Sequence, residues 1–148
     1  MKKYELTDET LKIGSITLHR VKSLVAFAGV EVGETGGWVE KEDNLDQNGD
    51  ARVYGDARVC DNKHYMAIGP IGSRDDTITF TRNKKGGIFA SIGCFFGTLA
   101  EFRAKVSKTH GGNVHAQAYL LAAQLAELRI DTTPIKTDPE EPVEESHE

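Results

Sequence analysis

The sequence has little cysteine, little proline and few aromatic residues, and each shortage excludes a class of protein. Its 148 residues include two cysteines, four prolines and one tryptophan. Two thiols, Cys60 and Cys94, are too few for the disulfide framework that holds small secreted domains together, so both are expected to be reduced. No run approaches the roughly 18 to 20 uncharged apolar residues of a membrane span. Met1-Lys2-Lys3-Tyr4-Glu5 leads into no apolar signal core. These absences predict a cytoplasmic protein with no membrane partner.

A basic excess is missing too. Eighteen Lys and Arg stand against 23 Asp and Glu, a net charge of −5. From Asp131 onward seven acidic residues face a single Lys136, and three of the four prolines (Pro134, Pro139, Pro142) fall in the same stretch. A segment poor in apolar residues and rich in like charge cannot offset its ordering entropy, so residues 131–148 are expected to form a disordered acidic tail. The remainder is close to neutral, which argues against general nucleic-acid binding.

What the sequence does have is a repeat. Asn48-Gly49-Asp50-Ala51-Arg52-Val53 is followed by Tyr54-Gly55-Asp56-Ala57-Arg58-Val59. Stepping back by sixes from Ala57 meets Ala51, Leu45 and Val39, all apolar. A period of six, with one small inward residue, one β-branched residue and Gly-Asp at a corner, is what a three-sided parallel coil requires. The expected fold class is therefore mainly β with α: a short left-handed parallel β-helix with an N-terminal β cap over residues 1–62, followed by a ββαα module over 63–130. Arg52 and Arg58 alternate with the inward residues and are expected to point out. Leu11, Ile13, Ile16 and Leu18 flank Gly14-Ser15, a hairpin signal for the cap. So short a coil leaves open sheet edges, which predicts a homo-oligomer, with a trimer favoured over a dimer.

In the second half, Ile78 and Phe80 are expected inward and alternate with Thr77, Thr79 and Thr81 expected outward, and Asn83-Lys84-Lys85-Gly86-Gly87 turns the chain into a return strand bearing Ile88, Ala90 and Ile92. Thr98-Leu99-Ala100-Glu101 is a capping box opening a helix with Leu99, Phe102 and Val106 on one face. Gly111-Gly112 stops it. Asn113 caps a second helix, on which Leu121, Leu125 and Leu128 make the expected buried stripe.

Thr35-Gly36-Gly37-Trp38-Val39-Glu40, the Gly-Asp-Ala-Arg-Val repeats, Ile71 to Thr77, Gly93-Cys94-Phe95-Phe96-Gly97-Thr98 and Thr109-His110-Gly111 together resemble a family of small hexapeptide-repeat proteins common in phages and prophages. The resemblance covers nearly all of residues 4 to 130, and the chain is similar to a shortened version with fewer repeats. Such proteins are often named transferases by analogy with hexapeptide acyltransferases. No activity or catalytic residue is carried over by the resemblance, but it implies a phage accessory role, including action against a host defence protein.

The residues themselves assemble no catalytic set. Residues 31 to 60 contain no histidine for acyl transfer. His64, just past the last hexad, reads as a solvent-facing or turn residue. Cys94 precedes a helix start, where a dipole lowers a thiol pKa, but no base is fixed beside it and the expectation is a buried structural thiol. His110 and His115 have no ligand at a fixed partner spacing, so no metal is expected, nor any cofactor. Gly69-Pro70-Ile71-Gly72-Ser73-Arg74 lacks the lysine and spacing of a phosphate loop.

What remains is anion-binding chemistry. Ser73, Arg74 and Thr77 offer two hydroxyls and a guanidinium beside backbone amides. Lys108 and His110 at a helix end extend the set, as do Arg52, Tyr54 and Arg58 where subunits meet. The leading expectation is a phage-type protein that binds and sequesters a small anionic, nucleotide-like immune signal without turning it over. The alternatives are an acyltransferase or other nucleotide-acting enzyme, and a structural or host-protein-binding inhibitor module.

Overall fold

A computed structural model describes residues 2–27 and 29–133. The described residues form two four-stranded sheets and two α-helices. The first sheet has the order β1 (Tyr4–Ile13), β2 (Ile16–Ser23), β3 (Thr35–Val39), β4 (Arg58–Val59); the second is a meander of β5 (Tyr65–Ile71), β6 (Asp76–Arg82), β7 (Ile88–Ile92) and β8 (Phe95–Thr98). Helices α1 (Leu99–His110) and α2 (Val114–Arg129) follow.

The β1–β2 hairpin closes on Ile13 opposite Ile16, with Gly14 at a φ of 60° in the first central position of the turn. That is the place where a two-residue hairpin turn of the II′ type demands glycine. β2 then pairs antiparallel with β3. Gly36 and Gly37 let β3 press against the returning chain, since a β-carbon on Gly37 would lie 2.6 Å from Val53 Cγ1. In that close approach the Gly37 amide donates to the Val53 carbonyl at 2.7 Å.

The expected left-handed β-helix does not form. A coil stacks its strands in parallel, whereas among the six strand pairings of the described residues only β3 and β4 pair parallel, through Trp38–Arg58 and Val39–Val59, and the other neighbours in both sheets are antiparallel. The hexads themselves run mostly as turns and irregular chain between the one-turn 3₁₀ helix Glu42–Asn44 and β4. The physical reason is that β3 has one edge already taken by β2, and the repeats are too few to stack on one another. The period of six still has a use. Val39, Leu45, Ala51, Val53, Ala57 and Val59 are all buried, in one small core with Tyr4 and Val21.

The capping box and both helix ends form as the sequence predicts. Thr98 Oγ1 accepts from the Glu101 amide, Glu101 accepts from the Thr98 amide, Gly111 caps α1, and Asn113 accepts from the Ala116 amide to start α2. The Leu stripe of α2 does not face the core. Leu121, Leu125 and Leu128 are exposed, and Ala116, Tyr119, Ala122, Ala123 and Ala126 are buried instead. α2 carries two apolar faces, and the small one lets the helix backbone come close to α1 and the sheet.

Thr79 and Thr81 are also buried, against the expected outward placement. The helices cover one face of the second sheet and the first half of the chain covers the other, where the Arg52 amide donates to Thr79 Oγ1 at 3.2 Å. Asp131–Thr133, expected to begin the disordered tail, pack on the fold: the Asp131 amide donates to the Lys63 carbonyl and the Thr133 carbonyl accepts from Arg82. The rest of the expected tail, 134–148, lies outside the described residues. Among the described residues no helix is long and apolar enough to cross a membrane.

Candidate functional site

Three segments far apart in sequence border one cleft of about 310 Å³. The β5–β6 turn contributes Ser73, Arg74 and Asp76. The β7–β8 turn contributes Gly93 and Cys94. α1 contributes Lys105, Thr109 and His110, with Ile92, Phe95, Phe102, Val106 and Tyr119 as the apolar floor. A volume of this size, mostly apolar with a few convergent polar groups, is what a small-molecule site requires.

The β5–β6 turn is shaped by Gly72 at a φ of 81° and by Asp75 at 52°. Asp75 is the one non-glycine in the left-handed region among the described residues, where Asp is better tolerated than most side chains. The turn leaves Ser73 and Arg74 exposed, and among the described residues Arg74 makes no ion pair with Asp75 or Asp76. Tyr119 stands beneath the turn at the core boundary. Burial pushes its hydroxyl above the ordinary tyrosine range, Asp76 adds to that, and the Arg74 charge opposes it. Both charges therefore reach the Tyr119 hydroxyl at the cleft floor.

α1 supplies the opposite wall because Phe102 and Val106 anchor one face in the core, which turns Lys105 and Thr109, one residue round, toward the opening. His110 closes the helix. Its ring lies 5.6 Å from that of Tyr119 and 5.9 Å from that of His115. Phe102 in turn stacks edge-on against Tyr119 and tilted against Phe95. The result is a floor of aromatic rings under Arg74, Lys105 and His110, with Asp76 the one carboxylate among the described lining residues.

Of the residues expected to bind an anion, Ser73, Arg74 and His110 meet in this cleft and the others do not. Thr77 sits on β6 with its hydroxyl over Gly69. Lys108 is exposed on α1 away from the cleft lining. Arg58 is half-buried on β4, opposite Trp38. Arg52 is buried, at 3% exposure, against the expected outward placement. Its Nε donates to Ser91 Oγ at 2.7 Å and an Nη donates to the Gly93 carbonyl at 2.6 Å. The second sheet lies over the hexad turns and buries Arg52, and that burial lowers its pKa below the ordinary guanidinium value. Tyr54 lies under that guanidinium, 5.0 Å from ring centre to Cζ, and edge-on to Phe96. These two residues thus join the halves of the fold. Arg52 does touch the site indirectly, because Gly93 is part of the cleft wall.

Two further placements differ from expectation. Cys94 is exposed and lines the cleft, because the β7–β8 turn carries it out of the core. His64 is buried, in the one-turn helix Asn62–His64, where its Nδ1 accepts from the Cys60 amide at 3.0 Å. Burial and the nearby Arg82 charge lower the His64 pKa, with Asp131 and Asp61 opposing.

Lys105, Tyr119 and the aromatic floor were not singled out by sequence. The available signal was helical spacing: Lys105 and Thr109 share a face of α1 with the Phe102–Val106 anchor beside it. Among the described residues no group of three or more His, Cys, Asp or Glu is placed to hold a metal ion. Comparison of the chain with models of protein families, with curated proteins and with solved structures finds no match.

Proposed function

We propose that the protein binds a small anionic ligand with a planar apolar portion, of the nucleotide class, in the cleft between α1 and the β5–β6 and β7–β8 turns, and holds it without turning it over. The observation that carries this reading is the convergence of Ser73, Arg74 and His110 with Lys105 above a floor that includes Phe95, Phe102 and Tyr119. Guanidinium, ammonium and hydroxyl groups supply charge-assisted hydrogen bonds to phosphate oxygens. Ring faces supply stacking for a base, which tolerates different bases because each has a π-face. The resemblance to small phage proteins gives such binding a role, the sequestering of a nucleotide signal of host immunity.

One observation favours a second reading. Cys94 is exposed in the same cleft as His110 and Asp76, so thiol chemistry on the bound ligand is the enzymatic rival.

Denaturing the purified protein and analysing the released small molecules by mass tests the two together with a thermal-shift screen of nucleoside mono-, di- and cyclic phosphates. An intact nucleotide, and stabilisation by the same compound, support sequestration. Turnover that stops in Cys94→Ser supports the rival. Neither release nor stabilisation by any of these compounds removes the nucleotide reading.

A further inference from the structure

We infer that the outer face of α2 is the contact surface for a second copy of this chain, an inference independent of the cleft's ligand. Val114, Ala118, Leu121, Leu125 and Leu128 follow one another at spacings of four, three, four and three, which keeps them on a single seam of a helix. The four large residues are 68%, 66%, 44% and 76% exposed in chain order. This seam lies opposite the alanine face that packs on α1 and the sheet, so it is an apolar surface the monomer leaves in water.

Three features identify the occupant. The alternating three-and-four spacing is the pattern that another helix with the same spacing fills by knobs into holes, and a two-fold axis brings the same patch onto itself. From Val114 to Leu128 the single Asp, Glu, Lys or Arg is Glu127, and Arg103 of α1 already pairs with it at 2.6 Å. A second copy therefore brings no like charge to the seam. A membrane surface would want lysines or arginines flanking the apolar face, which Gln117 and Gln124 are not. The chain's own residues 134–148 do not fit either: they hold three prolines and six acidic residues with only Ile135 and Val143 as apolar side chains. The seam is about 21 Å long at the helical rise per residue. A helix pair of that length lies at the low end of the areas that specific complexes bury, so a reversible dimer is expected.

This contact replaces the coil edges, which the fold does not have, as the basis for self-association. The test is sedimentation equilibrium of the full chain over a wide range of concentration, beside the Leu121→Gln/Leu128→Gln double variant. The wild type is expected to rise toward twice the chain mass, while the variant stays at the chain mass with its melting midpoint unchanged. If the variant unfolds, Leu121→Ala/Leu128→Ala is read in the same way, since alanine keeps the helix. A wild type that stays at the chain mass up to millimolar concentration overturns the inference, as does a folded variant that associates like the wild type. Flotation of monomeric protein with phosphatidylcholine vesicles would assign the seam to a lipid surface and overturn it as well.

Discussion

The Tyr119 hydroxyl occupies the space that a β-carbon on residue 72 would need, and Gly72 is what allows the β5–β6 turn to close over the α2 ring. The nearest ring carbon beyond the overlapping atoms would still be only 3.0 Å away. Gly72 also sits at a φ of 81°, which an L side chain adopts at a cost. Gly72→Ala is therefore expected to destabilise the fold by roughly 1 to 3 kcal/mol through overpacking. Combining it with Tyr119→Phe, which removes the overlapping oxygen, should recover part of that loss. Urea midpoints of the two single variants and the double variant measure the coupling; strictly additive effects would show that the two residues do not compete for this space.

The second prediction concerns the join between the halves. Arg52 is buried with its guanidinium on Ser91 Oγ and the Gly93 carbonyl. Arg52→Leu leaves the buried Ser91 hydroxyl without that donor, while the carbonyl of the exposed Gly93 can turn to water. A loss of roughly 1 to 3 kcal/mol is expected, the cost of one buried polar group stripped of its partner. Arg52→Lys should restore little, because one ammonium does not reproduce a planar fork reaching two acceptors. Chemical denaturation reads both variants, and a lysine variant as stable as wild type would contradict the two-pronged role.

How much of this was legible in the sequence differs between the halves. The capping box at Thr98 and Glu101, the Gly111 stop and the Asn113 cap are local, since each needs only a few residues of chain, and all form as read. The hexads misled because a period of six says which residues are buried without saying whether strands or turns bury them. Val39, Ala51 and Ala57 are inside, yet the described residues form no coil. Arg52 was placed outward by alternation alone, which takes no account of a second sheet lying on that face. α2 was misread because two apolar stripes share one helix, and only the packing partner decides between Ala123 and Leu125. In the cleft, Ser73, Arg74 and His110 carry recognisable chemistry, while Tyr119 and Lys105 belong to no motif that marks them.

A third prediction is a pH dependence set by His64. Its folded pKa is lowered below the ordinary value of 6.5. The unfolded state therefore takes up a proton, as pH falls, before the folded state does. Stability is independent of this group above pH 6.5 and is lost as pH falls from there to the lowered folded value. Protonation also converts Nδ1 from an acceptor into a donor and breaks its bond from the Cys60 amide. Urea midpoints followed from about pH 7.5 to about pH 5 should fall in wild type and fall less in His64→Gln, which removes the titration while keeping an acceptor. Equal slopes in the two proteins would assign the acid sensitivity to other groups.

The last prediction separates the cations of the cleft from those near it. Arg74 is exposed on a turn held by Gly72 and makes no ion pair among the described residues, so its guanidinium is available to a ligand without first giving up a partner. Lys105 faces it from α1 across the same opening. Lys108, one turn away on the same helix, is equally charged and equally exposed but does not line the cleft. Long-range attraction would treat these lysines nearly alike, because both lie within about one Debye length of the site at physiological salt. Direct hydrogen bonding would not. For whichever nucleoside phosphate gives the largest thermal shift, Arg74→Ala is expected to weaken binding by roughly 1.5 to 3 kcal/mol, the range for hydrogen bonds to charged groups. Lys105→Ala should also weaken it, and Lys108→Ala should change it by less than about 0.5 kcal/mol, the usual size of a surface substitution away from any site. Titration calorimetry of the three variants at two salt concentrations decides the matter. If Lys108→Ala costs as much as Arg74→Ala and both effects vanish in high salt, the ligand senses a diffuse positive field and the cleft is not its seat.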